Sequence, residues 1–152
     1  MKQLNNTLKA IKKFGLICTA KLILRHLGIS RLKVYQSFRY PLTNYQFKVI
    51  FRNNAWINLE NGKIELKTIK FLIKLVKPGD DIMDIGAWDG TFTLLLSKLV
   101  GVRGKVYAFD PDEKAFNNLK NNIRKNKLNN VNIEKVGLSN SVGTKIFHLI
   151  KG

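Results

Sequence analysis

Residues 81–90 read Asp81-Ile82-Met83-Asp84-Ile85-Gly86-Ala87-Trp88-Asp89-Gly90. The apolar run at 81–85 predicts a short buried strand. Thr91 to Val100 predicts a helix that starts at once. Gly86 lets the backbone turn sharply with no Cβ in the way. Gly90 lets the first helical turn come close to a ligand, and the N–H groups at that helix start form an anion site. A strand, a glycine turn and a helix in this order mark the place where an open α/β sheet holds a nucleotide.

Working towards the C-terminus, Lys105 to Phe109 is a second strand and Asp112 to Lys127 a second helix, with Phe116, Leu119 and Ile123 on its inner face. A third strand follows at 131–136. A fourth is expected at 145–150, after the Ser141-Val142-Gly143 turn. Strands alternating with helices of this length imply βαβ units and a parallel sheet. Towards the N-terminus, Leu66, Ile69, Leu72, Ile73 and Val76 predict a helix over 65–77, with Lys67, Lys70, Lys74 and Lys77 on its other face and Pro78-Gly79-Asp80 as its stop. The alternation of Phe47, Val49 and Phe51, with Asn53-Asn54 as a turn, predicts a hairpin over 46–58. Residues 3–28 read as a basic amphipathic helix broken near Gly15. Such a helix docks its apolar stripe on the protein or lies on an anionic membrane face, and docking is the expectation. The domain reading is therefore a basic helical region at 1–42, a hairpin and helix at 43–77, and a nucleoside-binding half-domain at 78–152.

The spacing D-x-G-x-x-x-G at 84–90 decides the ligand class. A phosphate-binding loop needs a Gly-Lys-Ser/Thr ending, which is absent, and a dinucleotide fingerprint needs G-x-G-x-x-G. Asp84, two residues before Gly86, repels a pyrophosphate and attracts an ammonium group. S-adenosylmethionine (SAM) carries an ammonium and a sulfonium, so it suits this turn better than NAD. Asp110 stands at the end of the second strand, twenty residues after Gly90. A carboxylate there can accept both ribose hydroxyls, and Pro111 fixes the turn that follows it. The competing reading is that Asp110 only caps the next helix.

Four motifs in register resemble the FkbM-type SAM-dependent methyltransferases. They are Asp84-Ile85-Gly86-Ala87, Val106-Tyr107-Ala108-Phe109-Asp110-Pro111, Leu119-x-x-Asn122-x-x-x-Asn126 and Gly137-Leu138-Ser139-Asn140-x-x-Gly143. The resemblance covers residues 77 to about 150. It implies a partial Rossmann-like SAM-methyltransferase fold, a parallel βαβαβ sheet of the α/β class. It implies that Asp84, Gly86, Ala87 and Gly90 line the methionine part of SAM, that Asp110 holds the ribose, and that Leu138 and Ser139 lie near the adenine. Trp88 replaces the family's usual Asn, and its ring is expected to cover the cofactor's apolar side. The implied reaction is O-methylation of a sugar or small hydroxylated metabolite. The family continues with a K-I-D-V-E-G-like strand that does not occur here. The parts of the family that choose the acceptor are therefore missing, no catalytic base is assigned, and a second chain is a candidate to complete the sheet.

The rest of the composition bounds the partners. The chain has 152 residues, 45% apolar, which suits one globular domain. Its one cysteine, Cys18, excludes an internal disulfide framework and a multi-cysteine zinc site, and no metal is expected. Lys and Arg number 27 against 10 acids, a formal charge of +17, and no acid precedes Glu60. That favours weak contact with an anionic surface, and it carries the alternative reading of the chain as a non-catalytic module whose basic N-terminal region binds such a surface, membrane or nucleic acid. No RNP signature or Cys/His finger points to a specific nucleic acid. No run reaches the ~20 apolar residues of a membrane span, so a cytoplasmic protein, at most peripheral to a membrane, is expected. His148 and His26 read as structural.

Overall fold

The computed structural model describes residues 35–50 and 54–146. From Ser37 onward they belong to one compact unit. Strands β1 (Tyr35–Arg39) and β2 (Gln46–Ile50) form a two-stranded sheet. Helices α1 (Asn54–Glu60) and α2 (Leu66–Leu75) follow. Then come β3 (Asp81–Ile85), α3 (Thr91–Val100), β4 (Lys105–Phe109), α4 (Glu113–Lys125) and β5 (Val131–Glu134). The last three strands pair in parallel in the order β3-β4-β5. Asp84 lies opposite Ala108, Ile85 opposite Phe109, and Phe109 opposite Glu134. The expected α/β βαβαβ unit is therefore present.

The core sits on one face of this sheet. Val106 and Ala108 are fully buried there. Val100, Leu96 and Val76 pack around Val106, and Leu119 and Ala87 around Ala108. The other face carries Met83 and Ile85, which are 57% and 64% exposed. β3 is thus covered on one side only, not buried as its composition suggests. Leu96 and Val100 of α3 pack with Val106, and Leu119 of α4 with Ala108, so both helices lie on the same face, as right-handed crossovers between neighbouring parallel strands require. Among the described residues no helix covers the opposite one.

The hairpin differs from the expected one over 46–58. β2 pairs backwards with β1, through a turn at 40–45, and residues 54–60 are helical. Trp56 and Leu59, three apart, both turn into the core. Seven residues are too few for a helical period to stand out against the neighbouring alternation. Phe38 meets Tyr40 and Trp56 edge-on, each with ring centres 4.7 Å apart, and Tyr40 meets Phe47 at 5.6 Å. Such edge-to-face pairs stabilise beyond their buried area.

Boundaries shift for local reasons. α2 starts after Glu65, whose φ is +57°, and ends at Leu75, where the extended Val76 follows. α4 starts after Asp112, whose carboxylate accepts the Ala115 N–H at 2.6 Å. β5 stops at Glu134 rather than 136. Lys145 and Ile146 are not in a strand. The rest of the expected fourth strand, His148, the 3–28 helix, Cys18 and His26 lie outside the described residues.

Asn122 on α4 and Asn126, the residue that caps its C-terminus, finish the edge of β2. Asn126 Oδ1 accepts the Lys48 N–H at 2.8 Å, and its Nδ2 donates to the Lys48 carbonyl at 2.8 Å. Asn122 Oδ1 accepts the Ile50 N–H at 2.7 Å, and its Nδ2 donates to the Asp89 carbonyl at 2.8 Å. Residues two apart present their N–H groups on the same strand edge, so two side-chain amides stand where a further strand would pair. Asn122 is fully buried. Asn122→Ala leaves a buried donor and a buried acceptor unpaired and should lower stability by about 2–4 kcal/mol. Asn126→Ala, at a more exposed site, should cost about 1 kcal/mol. Urea unfolding of the two variants checks the difference.

Candidate functional site

The turn after β3 is bolted to β4 by its own backbone. The Phe109 carbonyl accepts the N–H of Gly86 at 2.9 Å and of Ala87 at 3.0 Å. The Trp88 N–H donates to Asp110 Oδ2 at 2.7 Å, and the Asp112 N–H to Asp110 Oδ1 at 2.9 Å. Asp110 is buried, and it is not a helix cap; that role belongs to Asp112. Gly137 lies against Pro111, since a Cβ placed on it would be 3.7 Å from Pro111 Cγ. The segment after β5 therefore runs past the tip of β4. Asp84, Gly86, Ala87, Trp88, Asp110 and Pro111 all gather at the C-terminal ends of the parallel strands. Leu138 and Ser139 follow Gly137 there. Leu138 is half-exposed, and the Ser139 hydroxyl is engaged by Ser141 of its own loop.

Two features of this turn also have roles inside the fold. The first concerns Gly90. Its φ is +96°, it is buried, and a Cβ there would sit 2.9 Å from Leu119 Cδ1. Glycine at 90 is required by the packing of α3 against α4. The second concerns the anion site. A carboxylate of the protein itself lies at the start of α3. Asp84 Oδ2 accepts the Thr93 hydroxyl at 2.5 Å, and the Thr93 side chain and backbone both favour its charged form. A carboxylate at a helix N-terminus is favoured by the helix dipole, so Asp84 is itself the anion of that site. Space remains at Gly86: its φ is +78°, and an added Cβ would meet nothing within 4 Å. Trp88 has a φ of +50° and is 43% exposed. A left-handed conformation costs a non-glycine residue about 1 kcal/mol. The turn accepts that cost to bring the Trp88 N–H to Asp110.

The residues that sequence reading missed stand behind the turn. The Asp89 carboxylate is buried. It accepts the Trp56 indole N–H at 2.7 Å on Oδ2 and the Thr91 hydroxyl at 3.1 Å on Oδ1. The Tyr40 hydroxyl donates to the Thr91 carbonyl. Burial raises the Asp84 and Asp89 carboxyls above their ordinary range, and the nearby Asp110 charge raises both further. Thr93 at Asp84, and Trp56 and Thr91 at Asp89, oppose that rise. The Tyr40 phenol is raised well above its usual value, first by burial and then by Asp89 and Asp84. Three of the ten acids of a strongly basic chain thus converge at one place. Asp89 was legible only as the residue beside Gly90; its indole partner lies 33 residues upstream.

Two predictions follow from this packing and charge. Gly86→Ala should cost about 1 kcal/mol through its backbone alone. Gly90→Ala adds a clash inside the core and should cost about 2–4 kcal/mol. Leu119→Ala removes the clashing methyl but leaves a cavity, so Gly90→Ala/Leu119→Ala should lose less stability than the sum of its two single variants. Thermal unfolding of the four variants checks this. Because the folded Asp89 carboxyl is raised, the folded state holds its proton to higher pH, and stability falls as pH rises from the ordinary 3.8 through the raised value. Asp89→Asn cannot ionise. Its stability relative to the parent should rise across that window and level off above it, as read by urea unfolding at successive pH values.

Comparison with known proteins agrees with this architecture. A family model described as FtsJ-like methyltransferase matches residues 51–150. A probable cobalt-precorrin-6B C(15)-methyltransferase (decarboxylating) of Saccharolobus solfataricus is 39% identical over 70 residues, 45% of this chain and 35% of its own. The catalytic subunit of a tRNA (adenine(58)-N(1))-methyltransferase of Yarrowia lipolytica is 32% identical over 56 residues, 37% of this chain and 14% of its own. The crystal structure of a SAM dependent methyltransferase from Aquifex aeolicus is 31% identical, with a TM-score of 0.43, over 55% of this chain and 42% of that one. The chain spans about a third of the length of the first of these relatives. With more than half of its residues matched by the family model, the chain belongs to the FtsJ-like methyltransferase family.

Proposed function

We propose that residues 78–146 are the cofactor-binding part of a SAM-dependent methyltransferase. The observation that carries this reading is the meeting of Asp84, Asp110 and an open glycine turn at the tips of two neighbouring parallel strands. The residues present suit SAM. Each Asp110 oxygen accepts one backbone N–H, and a carboxylate offers roughly four acceptor sites in all. Capacity for two ribose hydroxyls remains. The open side of Gly86 would admit the methionine part, with Asp84 and Ala87 beside it. Trp88 and Leu138 present exposed apolar surface for the flatter, less polar portions of the ligand, next to Pro111 and Ser139. Gly90 supports the turn from below. Bound there, SAM would supply a methyl group already activated by its sulfonium; the chain's own residues hold and orient it.

The acceptor reading is a hydroxyl of a sugar or other small metabolite. It rests on the four motifs that resemble FkbM-type enzymes. The named relatives act on a cobalt-precorrin and on a tRNA adenine, so their acceptors do not converge on one class. A second chain that pairs along β3 would complete the sheet.

Calorimetric titration tests the cofactor reading. The folded chain should bind SAM saturably. Asp110→Ala should weaken binding about 100-fold, the loss of two hydrogen bonds to a charged acceptor. A folded protein that binds no SAM, or an Asp110→Ala variant that binds as the parent does, overturns the reading.

A further inference from the structure

Two stripes run along the exposed side of α2 and the residues that flank it. Lys63, Lys67, Lys70, Lys74 and Lys77 recur at intervals of four, three, four and three, and all are exposed. Beside them run Ile64, Thr68, Phe71 and Leu75, at four, three and four. Phe71 is 60% exposed and Leu75 57%. The core contact of the helix is made elsewhere, by Ile69 and Val76, with Leu72 and Ile73 partly buried. No acid occurs between Glu65 and Asp80. None of Lys67, Lys70 and Lys74 has an ion-pair partner among the described residues. The surface is therefore a band of unneutralised positive charge next to a band of exposed apolar side chains.

We propose that this face of α2 binds an anionic lipid surface, with Phe71 and Leu75 entering the headgroup–acyl boundary and Lys67, Lys70 and Lys74 set against lipid phosphates. Both stripes are used at once only in that setting. A helix lying in the interface plane buries its apolar residues to shallow depth and keeps its cations at the headgroups. Lysine stems reach along the apolar layer while the ammonium stays outside it. A nucleic acid would engage the lysines, but base stacking needs planar rings, and Leu75 and Ile64 would stay in water. A second copy of the same face would set lysine against lysine. The net charge of +17 draws the chain towards a negative surface from a distance. None of this depends on the cofactor reading.

The test is co-sedimentation of the full chain with vesicles of phosphatidylcholine alone and of phosphatidylcholine mixed with phosphatidylglycerol. The parent should bind the mixed vesicles and not the neutral ones. Phe71→Ser/Leu75→Ser keeps every lysine and all of residues 1–34, and it should lower partitioning about tenfold with an unchanged melting temperature. Lys67→Gln/Lys70→Gln/Lys74→Gln should lower it comparably. Phe71→Trp should show a blue-shifted emission on adding the mixed vesicles. Four outcomes overturn the proposal. The parent fails to bind vesicles. The serine variant binds as the parent does, so charge alone or residues 1–34 are responsible. The tryptophan emission does not move. Or a single-stranded RNA, and not the vesicles, is the ligand whose binding the serine variant weakens.

Discussion

One carbonyl oxygen holds the site together. Phe109, the last residue of β4, accepts both the Gly86 and the Ala87 N–H. A peptide oxygen with two lone pairs can do this only if the chain from β3 folds back sharply across the strand tip. That fold needs a positive φ at Gly86. The next N–H, from Trp88, then falls on the Asp110 carboxylate. Three successive backbone donors are thus spent on tying one strand end to its neighbour. Asp84 and Asp110, 26 residues apart in sequence, come to interact electrostatically as a result.

The same turn is braced from below by groups that have no need to meet a ligand. Leu119 of α4 fills the space left by the missing Cβ of Gly90. Asn122, one turn further along α4, holds the Asp89 carbonyl and at the same time closes the edge of β2. Trp56 reaches the Asp89 carboxylate from α1. The N-terminal hairpin and short helix are therefore supports of the turn rather than a separate appendage. A buried carboxylate with only neutral donors is costly to ionise. That cost is reduced, not removed, by the indole and the threonine hydroxyl. In exchange the turn is held by directional bonds from three different elements.

Charge is divided sharply over the surface. Acids are scarce, and three of them are drawn to the strand tips. Lysines line the exposed side of α2, where Lys67, Lys70 and Lys74 meet no counter-ion among the described residues. A cationic ligand group is favoured at the first place and an anionic surface at the second. The two regions use opposite signs of the same field, so the large net charge says little about the site itself.

The sequence by itself determined the alternation of strands and helices from residue 66 onward, because periods of two and of 3.6 residues are local properties of the chain. It also determined that Asp84, Gly86 and Asp110 would end up at strand tips, since right-handed βαβ connections leave no other arrangement. Tertiary structure alone decided the rest. The alternation of Phe47 and Val49 marks a strand but does not say which neighbour it pairs with, and the partner proved to be upstream. Trp56 reads equally well as strand or helix until Asp89 is in place to receive its N–H. The need for glycine at 90 has a steric cause that becomes visible only when Leu119, 29 residues away, occupies its empty side. A residue's own spacing dictates its secondary structure, whereas the group it must accommodate or satisfy is supplied by a distant part of the chain.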